Sequence, residues 1–187
     1  MKSKTEWLLL GFFIIILLFS CFGVPLLQEA YLSWKFKDVD ITSILIEEGD
    51  LPPAFSKEEV VDIPPDKFWG RNYLQLKQQG ILAPNETKAG NVWVYLYSSQ
   101  DEQFETYQLL SLVETQEGII PTELSEFENC EECMIAATDG YVFVVFKRCA
   151  SIGYISIDNK YLQDYGFDYL LSHAKRLDES LRLIACK

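Results

Sequence analysis

The sequence predicts an α+β protein: a mostly antiparallel sheet with helices packed on one face, preceded by a single N-terminal transmembrane helix. Three observations carry this. Trp7 to Leu27 is a run of 21 residues without a charge. Segments 92–97, 134–137, 141–148 and 152–157 are rich in β-branched and aromatic residues and are bounded by turn residues, as strands are. Leu170, Ala174, Leu177, Leu181 and Ile184 recur every three or four residues, the stripe of an amphipathic helix lying on a sheet.

The N-terminal run comes first. As a helix rising about 1.5 Å per residue it spans roughly 30 Å, the thickness of a bilayer core. Lys2 and Lys4 precede it and Trp7 stands where an interfacial aromatic belongs. Positive charge on a short leading tail favours an N-terminus in the cytoplasm and the remainder outside. Three readings stay open for residues 1–27: a retained signal-anchor, a lipoprotein signal in which Leu18-Phe19-Ser20-Cys21 makes Cys21 a lipidation candidate, and a cleaved secretory signal. All three leave the rest on the outer side of a cell membrane. Residues 28–40 read as a juxtamembrane connector, with Tyr31, Trp34 and Phe36 among Lys35 and Lys37 at headgroup level.

The extracytoplasmic domain is expected over 41–187. Ile41, Ile44 and Leu45 at helical spacing predict a short helix capped by Asp40 and ended by Gly49. Pro52 and Pro53 break it. An edge strand follows over 55–63, stopped by Pro64-Pro65. Residues 66–80 read as strand or irregular cover, and 80–90 as a polar loop. In the strand 92–97, Val92, Val94 and Leu96 share one face and Trp93, Tyr95 and Tyr97 the other. Ser99 with Glu102 is a capping box that opens a helix to about Glu114. Thr138-Asp139-Gly140 turns a hairpin between 134–137 and 141–148. A tight connection at 149–151 leads to 152–157, and a final helix runs from about Asp164 to Ala185.

Charge restricts the partners. The chain has 187 residues, 16 Lys and Arg against 28 Asp and Glu, and a net charge of −12. Nucleic acid is excluded as a partner, because phosphate contacts need clustered cations. A single His leaves little for imidazole-based metal cages or acid–base catalysis. At 49% hydrophobic the chain is too apolar to be disordered. No enzymatic signature is present, and no catalytic residue, cofactor or metal site is assigned.

Leu51-Pro52-Pro53-Ala54-Phe55 resembles the "LPPGF" opening of bacterial lipoprotein-like, membrane-anchored extracytoplasmic domains. So do the aliphatic strand Val142 to Phe146 ending in Lys147-Arg148, the following strand 152–157, and the helix around Ala174 to Asp178. The layout over roughly 41–185 is similar to PsbP/Mog1-like or LpqN-like domains. The resemblance implies a binding or assembly module. Ala54 departs from it, since Gly is usual there, and so does a cysteine pair before the hairpin.

The cysteines are the most informative set. Cys130, Cys133, Cys149 and Cys186 are spaced C-x2-C-x15-C-x36-C. In an oxidising compartment they are disulfide candidates. A turn centred on Asp139 would set Cys130 opposite Arg148, one position from Cys149, so that Cys130–Cys149 staples the hairpin and Cys133 is left with Cys186. That second pair needs a frayed C-terminus, since Cys186 lies roughly 160° from the helix stripe. A redox-active Cys130/Cys133 pair is an alternative, disfavoured by Glu131 and Glu132, which oppose thiolate formation. Zinc would want a second CxxC knuckle.

Smaller signals follow. The acidic run Glu114, Glu117, Glu123, Glu126, Glu128, Glu131 and Glu132 reads as a solvated loop. His173 reads as a boundary residue of the last helix. Asn85-Glu86-Thr87 matches a glycosylation sequon. Trp93, Tyr95 and Tyr97 either lie under Phe55, Phe68, Trp69 and Tyr73 or form an apolar groove for a lipid, pigment or partner protein. The function expected is non-enzymatic: a single-pass membrane-anchored binding or assembly domain, touching membrane lipid through its N-terminal segment and a membrane-protein partner. The alternatives are a thiol–disulfide redox protein and a hydrophobic-ligand carrier.

Overall fold

The structure, a computed structural model, describes residues 4–47, 49–64, 73–97, 122–123, 132–137 and 140–186. The side chains of residues 4–10, 21, 22, 25, 28, 29, 122, 123 and 132 are outside that description. The helix expected from Ser99 to Glu114, the turn residues Thr138 and Asp139, and Cys130 also lie outside the described residues. The chain divides into two compact units, Met1–Asp38 and Val39–Lys187.

The first unit is helical over 4–36. It comprises α1 (Lys4–Leu18), a π-helical turn (Phe19–Gly23) and α2 (Val24–Phe36). Leu18, Gly23 and Val24 at the joins all hold right-handed helical dihedrals. The expectation of one α-helix over 7–27 is therefore corrected: the α-helical pattern is interrupted, and helix continues through most of the expected connector. Among the described residues no helix is long and apolar enough to cross a membrane. The interruption has a chemical cause. Pro25 stands in the first turn of α2 and has no N–H to donate to the preceding turn, and such gaps are where helices widen or bend.

In the second unit, no helix is seen among the described residues of 41–49, where a short one was expected; they form turns and bends. Val39, Ile41, Thr42, Ile44 and Ile46 are β-branched and disfavour a short isolated helix. Its carbonyls are satisfied by side chains instead. Lys57 Nζ donates to the Ile46 carbonyl at 2.6 Å, and Arg176 Nη2 to those of Ile44 and Leu45 at 2.8 and 3.0 Å. Ile41, Ile44, Leu45 and Ile46 are buried.

Among the described residues eight strands form one sheet: β1 (Ser56–Lys57), β2 (Val61–Asp62), β3 (Tyr73–Leu82), β4 (Lys88–Tyr97), β5 (Thr122–Glu123), β6 (Glu132–Ala137), β7 (Tyr141–Arg148) and β8 (Ser151–Asp158). The order is β1-β3-β4-β8-β7-β6-β5, with β2 also on β3, and every described pairing is antiparallel. The edge strand expected at 55–63 is realised as β1 and β2. The Glu58 N–H donates to the Gly80 carbonyl between them. The loop expected at 80–90 shrinks to residues 83–87, because β3 runs on to Leu82 and β4 begins at Lys88. Gly90 is a strand glycine required by close approach: a Cβ there would lie 2.1 Å from the Ser156 carbonyl oxygen of β8. Part of the expected acidic loop is strand too, with Glu123 in β5 and Glu132 in β6.

The last helix is two helices, α3 (Asn159–Tyr165) and α4 (Phe167–Ala185). Gly166 parts them at φ +86°, a conformation that ends a helix without Cβ strain. Asp158 caps α3 by accepting from the Lys160 N–H at 3.0 Å. Leu170, Ala174, Leu177 and Leu181 are fully buried, as the stripe requires, whereas Ile184 is half-buried and Ala185 takes its place. α4 packs on β7 and β8. The sheet face it meets carries Val92, Val94 and Leu96, then Ile155 and Gly153 across from them, then Val144, Phe146 and Arg148.

Candidate functional site

Three arrangements carry chemistry. The first is the sheet face away from α4. Trp93, Tyr95 and Tyr97 stack along β4 at centroid separations of 6.3 and 6.2 Å, and Tyr73 of β3 meets Tyr95 edge-on at 6.4 Å. Leu76, Met134, Ala136, Phe143, Val145 and Ile152 join Tyr73, Tyr95 and Tyr97 in one buried cluster. Tyr95 and Tyr97 are 2% and 0% exposed. Burial and neighbouring tyrosines push the Tyr95 phenol far above its ordinary range, so it stays neutral. A groove would need rings that a ligand can reach; Tyr95 and Tyr97 are enclosed, and Trp93 and Tyr154 at the margin are half-buried. Of the residues expected to lie over this face, Tyr73 meets it from the neighbouring strand of the same sheet. Phe55 does not: it packs edge-on against Tyr165 at 5.3 Å. Phe68 and Trp69 lie outside the described residues.

The second arrangement is a polar knot between the loop 44–50 and α4. Arg176 is its hub. Its Nε donates to Asp50 Oδ1 at 2.7 Å and its Nη1 to Glu47 Oε1 at 2.8 Å, beside the two carbonyl contacts already given. Asp50 Oδ2 accepts from the Glu47 N–H at 2.6 Å, and Tyr165 donates its hydroxyl to the Asp50 carbonyl at 3.3 Å. His173 is not at a boundary. It is wholly buried, with Nε2 2.8 Å from the Leu45 carbonyl and 3.4 Å from Asp50 Oδ2. Burial pushes its pKa down to about 4; Asp50 and the Leu45 carbonyl pull up, and Arg176 pushes further down. His173 is thus neutral at pH 7 and donates Nε2–H to Leu45. Helical-wheel spacing misplaced it because the loop 44–50 widens the buried face of α4.

The third arrangement is the β7–β8 turn. Cys149 and Cys186, 37 positions apart in sequence, form a disulfide with Cα atoms 5.3 Å apart. The pairing of Cys130 with Cys149 and of Cys133 with Cys186 is therefore corrected. The helix end explains the error. Helix α4 stops at Ala185, so Cys186, at φ −96° and ψ 4°, has left the helical phase that argued against it. The β6–β7 register sits one residue from the expected one, with Glu132 facing Lys147. Cys133 is disulfide-bonded as well. Beside Cys149, Arg148 reaches under α4 to Asp178 through two bonds of 2.5 and 2.7 Å, and both side chains are buried.

Among the described residues no group of three or more His, Cys, Asp or Glu could hold a metal ion. Asn85 and Thr87 of the sequon are exposed in the β3–β4 turn, with Thr87 Oγ1 donating to Asn85 Oδ1 at 2.6 Å. The comparisons with protein-family models, with curated proteins and with solved structures find no match to the chain.

Proposed function

We propose that the chain is a single-pass membrane protein whose N-terminal helix holds an acidic binding or assembly domain on the outer side of the membrane, without enzymatic activity. One observation carries this reading. Residues 4–36 remain helical through the π turn, and Phe12 to Phe19, with Val24, Leu26 and Leu27, are large apolar side chains exposed over this run. Exposed apolar surface on this scale needs an apolar medium. A widened turn inside a spanning helix is tolerated where neighbouring groups satisfy the backbone.

The domain supports a scaffold better than a catalyst. Among the described residues its buried charged and imidazole groups sit in structural bonds: Asp50 and His173 in the knot with Arg176, Arg148 and Asp178 under α4. Disulfides suit an oxidising compartment. The lipoprotein-like resemblance points the same way and rests on the short motifs that carry it. Extraction of membranes at alkaline pH tests the anchor. The full chain should stay with the pellet and leave it only with detergent; release without detergent overturns the reading.

A thiol–disulfide redox role is the second reading, favoured by the disulfide at Cys133 beside a second one at the same end of the β6–β7 hairpin. Mass-spectrometric thiol mapping under mild reduction separates the two. A Cys133 disulfide that opens well before Cys149–Cys186 favours redox; bridges that resist reduction until unfolding favour staples.

A further inference from the structure

Asn85-Glu86-Thr87 is the single N-x-[ST] sequence of the chain: no other Asn has Ser or Thr two positions on. The fold sets it at the tip of the β3–β4 hairpin, where residues 84–88 are exposed. Two backbone bonds close that turn. The Glu86 N–H donates to the Ala83 carbonyl at 2.8 Å, and the Ala83 N–H to the Thr87 carbonyl at 2.9 Å. Asn85 Oδ1 accepts from the Thr87 N–H at 3.2 Å and from Thr87 Oγ1 at 2.6 Å. A backbone N–H can only donate, so the atom it meets is the carboxamide oxygen and the other is Nδ2. Among the described residues Nδ2 has no hydrogen-bond partner. The Tyr161 hydroxyl of α3 bonds to Thr87 Oγ1 as well; since that oxygen gives its single proton to Asn85, Tyr161 is the donor.

We propose that Asn85 is the acceptor of an N-linked glycan, received from a lipid-diphosphate-linked oligosaccharide. The inference rests on the outer-side reading of the preceding section. The bond from Nδ2 to C1 of the first sugar forms as the bond from C1 to the diphosphate oxygen breaks. The lipid diphosphate leaves, and Nδ2 gives up one proton. The fold accommodates the product. Substitution at Nδ2 breaks no bond of the turn, and the linked amide keeps its carbonyl oxygen, so both Thr87 bonds persist. A bulky hydrated group at an exposed hairpin tip also displaces no packed side chain. The domain that carries it is hydrophilic. Residues 28–187 hold 14 basic and 27 acidic residues, a net −13, once Lys2, Lys4 and Glu6 are set aside. The glycan therefore extends a surface that already faces water.

Cell-free translation of the full chain with endoplasmic-reticulum microsomes tests it. The microsomes supply the transferase and the lipid-diphosphate donor, and their lumen corresponds to the outer side of a cell membrane. The 39–187 unit should be protected from external protease, and the chain should show one upward gel shift. Asn85→Gln and Thr87→Ala should each abolish the shift, whereas Thr87→Ser, which keeps the hydroxyl, should retain it. Peptide N-glycosidase should remove the glycan from the detergent-solubilised folded chain without denaturant, leaving an aspartate at position 85 by mass spectrometry. A protected unit with no shift overturns the glycan and leaves the anchor standing. An unprotected unit overturns the anchor reading, and the glycan with it. A shift that persists in Asn85→Gln, or a glycan released only after denaturation, overturns its assignment to this exposed turn.

Discussion

At the scale of single residues, Ala54 and His173 are the most exposed to test. Ala54 holds φ +73°, where an L-residue strains its Cβ against the backbone. Glycine holds such a φ without that strain. Ala54→Gly removes the strain and loosens the unfolded chain by somewhat less, so urea unfolding should show a gain of about 0.5–1 kcal/mol. Its partner test is pH. His173 titrates near 6.5 when unfolded and at about 4 when folded. Between those values the unfolded chain binds a proton that the folded chain refuses. Its contribution is therefore fully present above the unfolded value, falls as pH drops from about 6.5 to 4, and levels off below. His173→Gln keeps a donor for Leu45 and should flatten that part of the urea midpoint–pH profile. Neither residue was legible in full. Sequence spacing put His173 at a helix boundary, because the loop that covers it has no periodicity to reveal it.

At the scale of elements, α4 is tied to the sheet by two different chemistries from adjacent residues, Arg148 and Cys149. The Arg148–Asp178 pair is buried on both sides, 6% and 7% exposed. Asp178→Ala alone leaves a buried guanidinium and should destabilise by about 3–5 kcal/mol, whereas Arg148→Met with Asp178→Leu should recover most of it in a double-mutant cycle. The Cys149–Cys186 bridge closes a loop of 37 residues, so the Cys149→Ser/Cys186→Ser variant should lose about 4 kcal/mol by the chain-entropy relation, read as a lower urea midpoint. The stripe of α4, the strand β4 and the β6–β7 hairpin were legible, since period 3.6 and period 2 are written directly in the apolar residues. The disulfide pairing was not. It depends on where Cys186 points once the helix has ended, which the apolar period does not state. The segment 41–49 misled for another reason: three apolar residues at helical spacing fit a helix, but its carbonyls find better donors in Lys57 and Arg176, which are distant in sequence.

At the scale of the whole molecule, the near-neutral mean hydropathy of +0.03 is the average of two opposite parts, an uncharged helical stretch and a domain of net −13. That division was plain in the sequence. The π turn at Phe19–Gly23 was not, because Pro25 acts on the backbone one turn before it. The central claim is that the first part spans a membrane and the second stands outside it. Protease digestion of the full chain in sealed, right-side-out membrane vesicles tests this most directly. The account predicts that external protease removes residues of the 39–187 unit while a fragment containing 7–27 stays protected with the membrane. A 39–187 unit that survives until the vesicles are permeabilised, or a chain that never sediments with them, would contradict it.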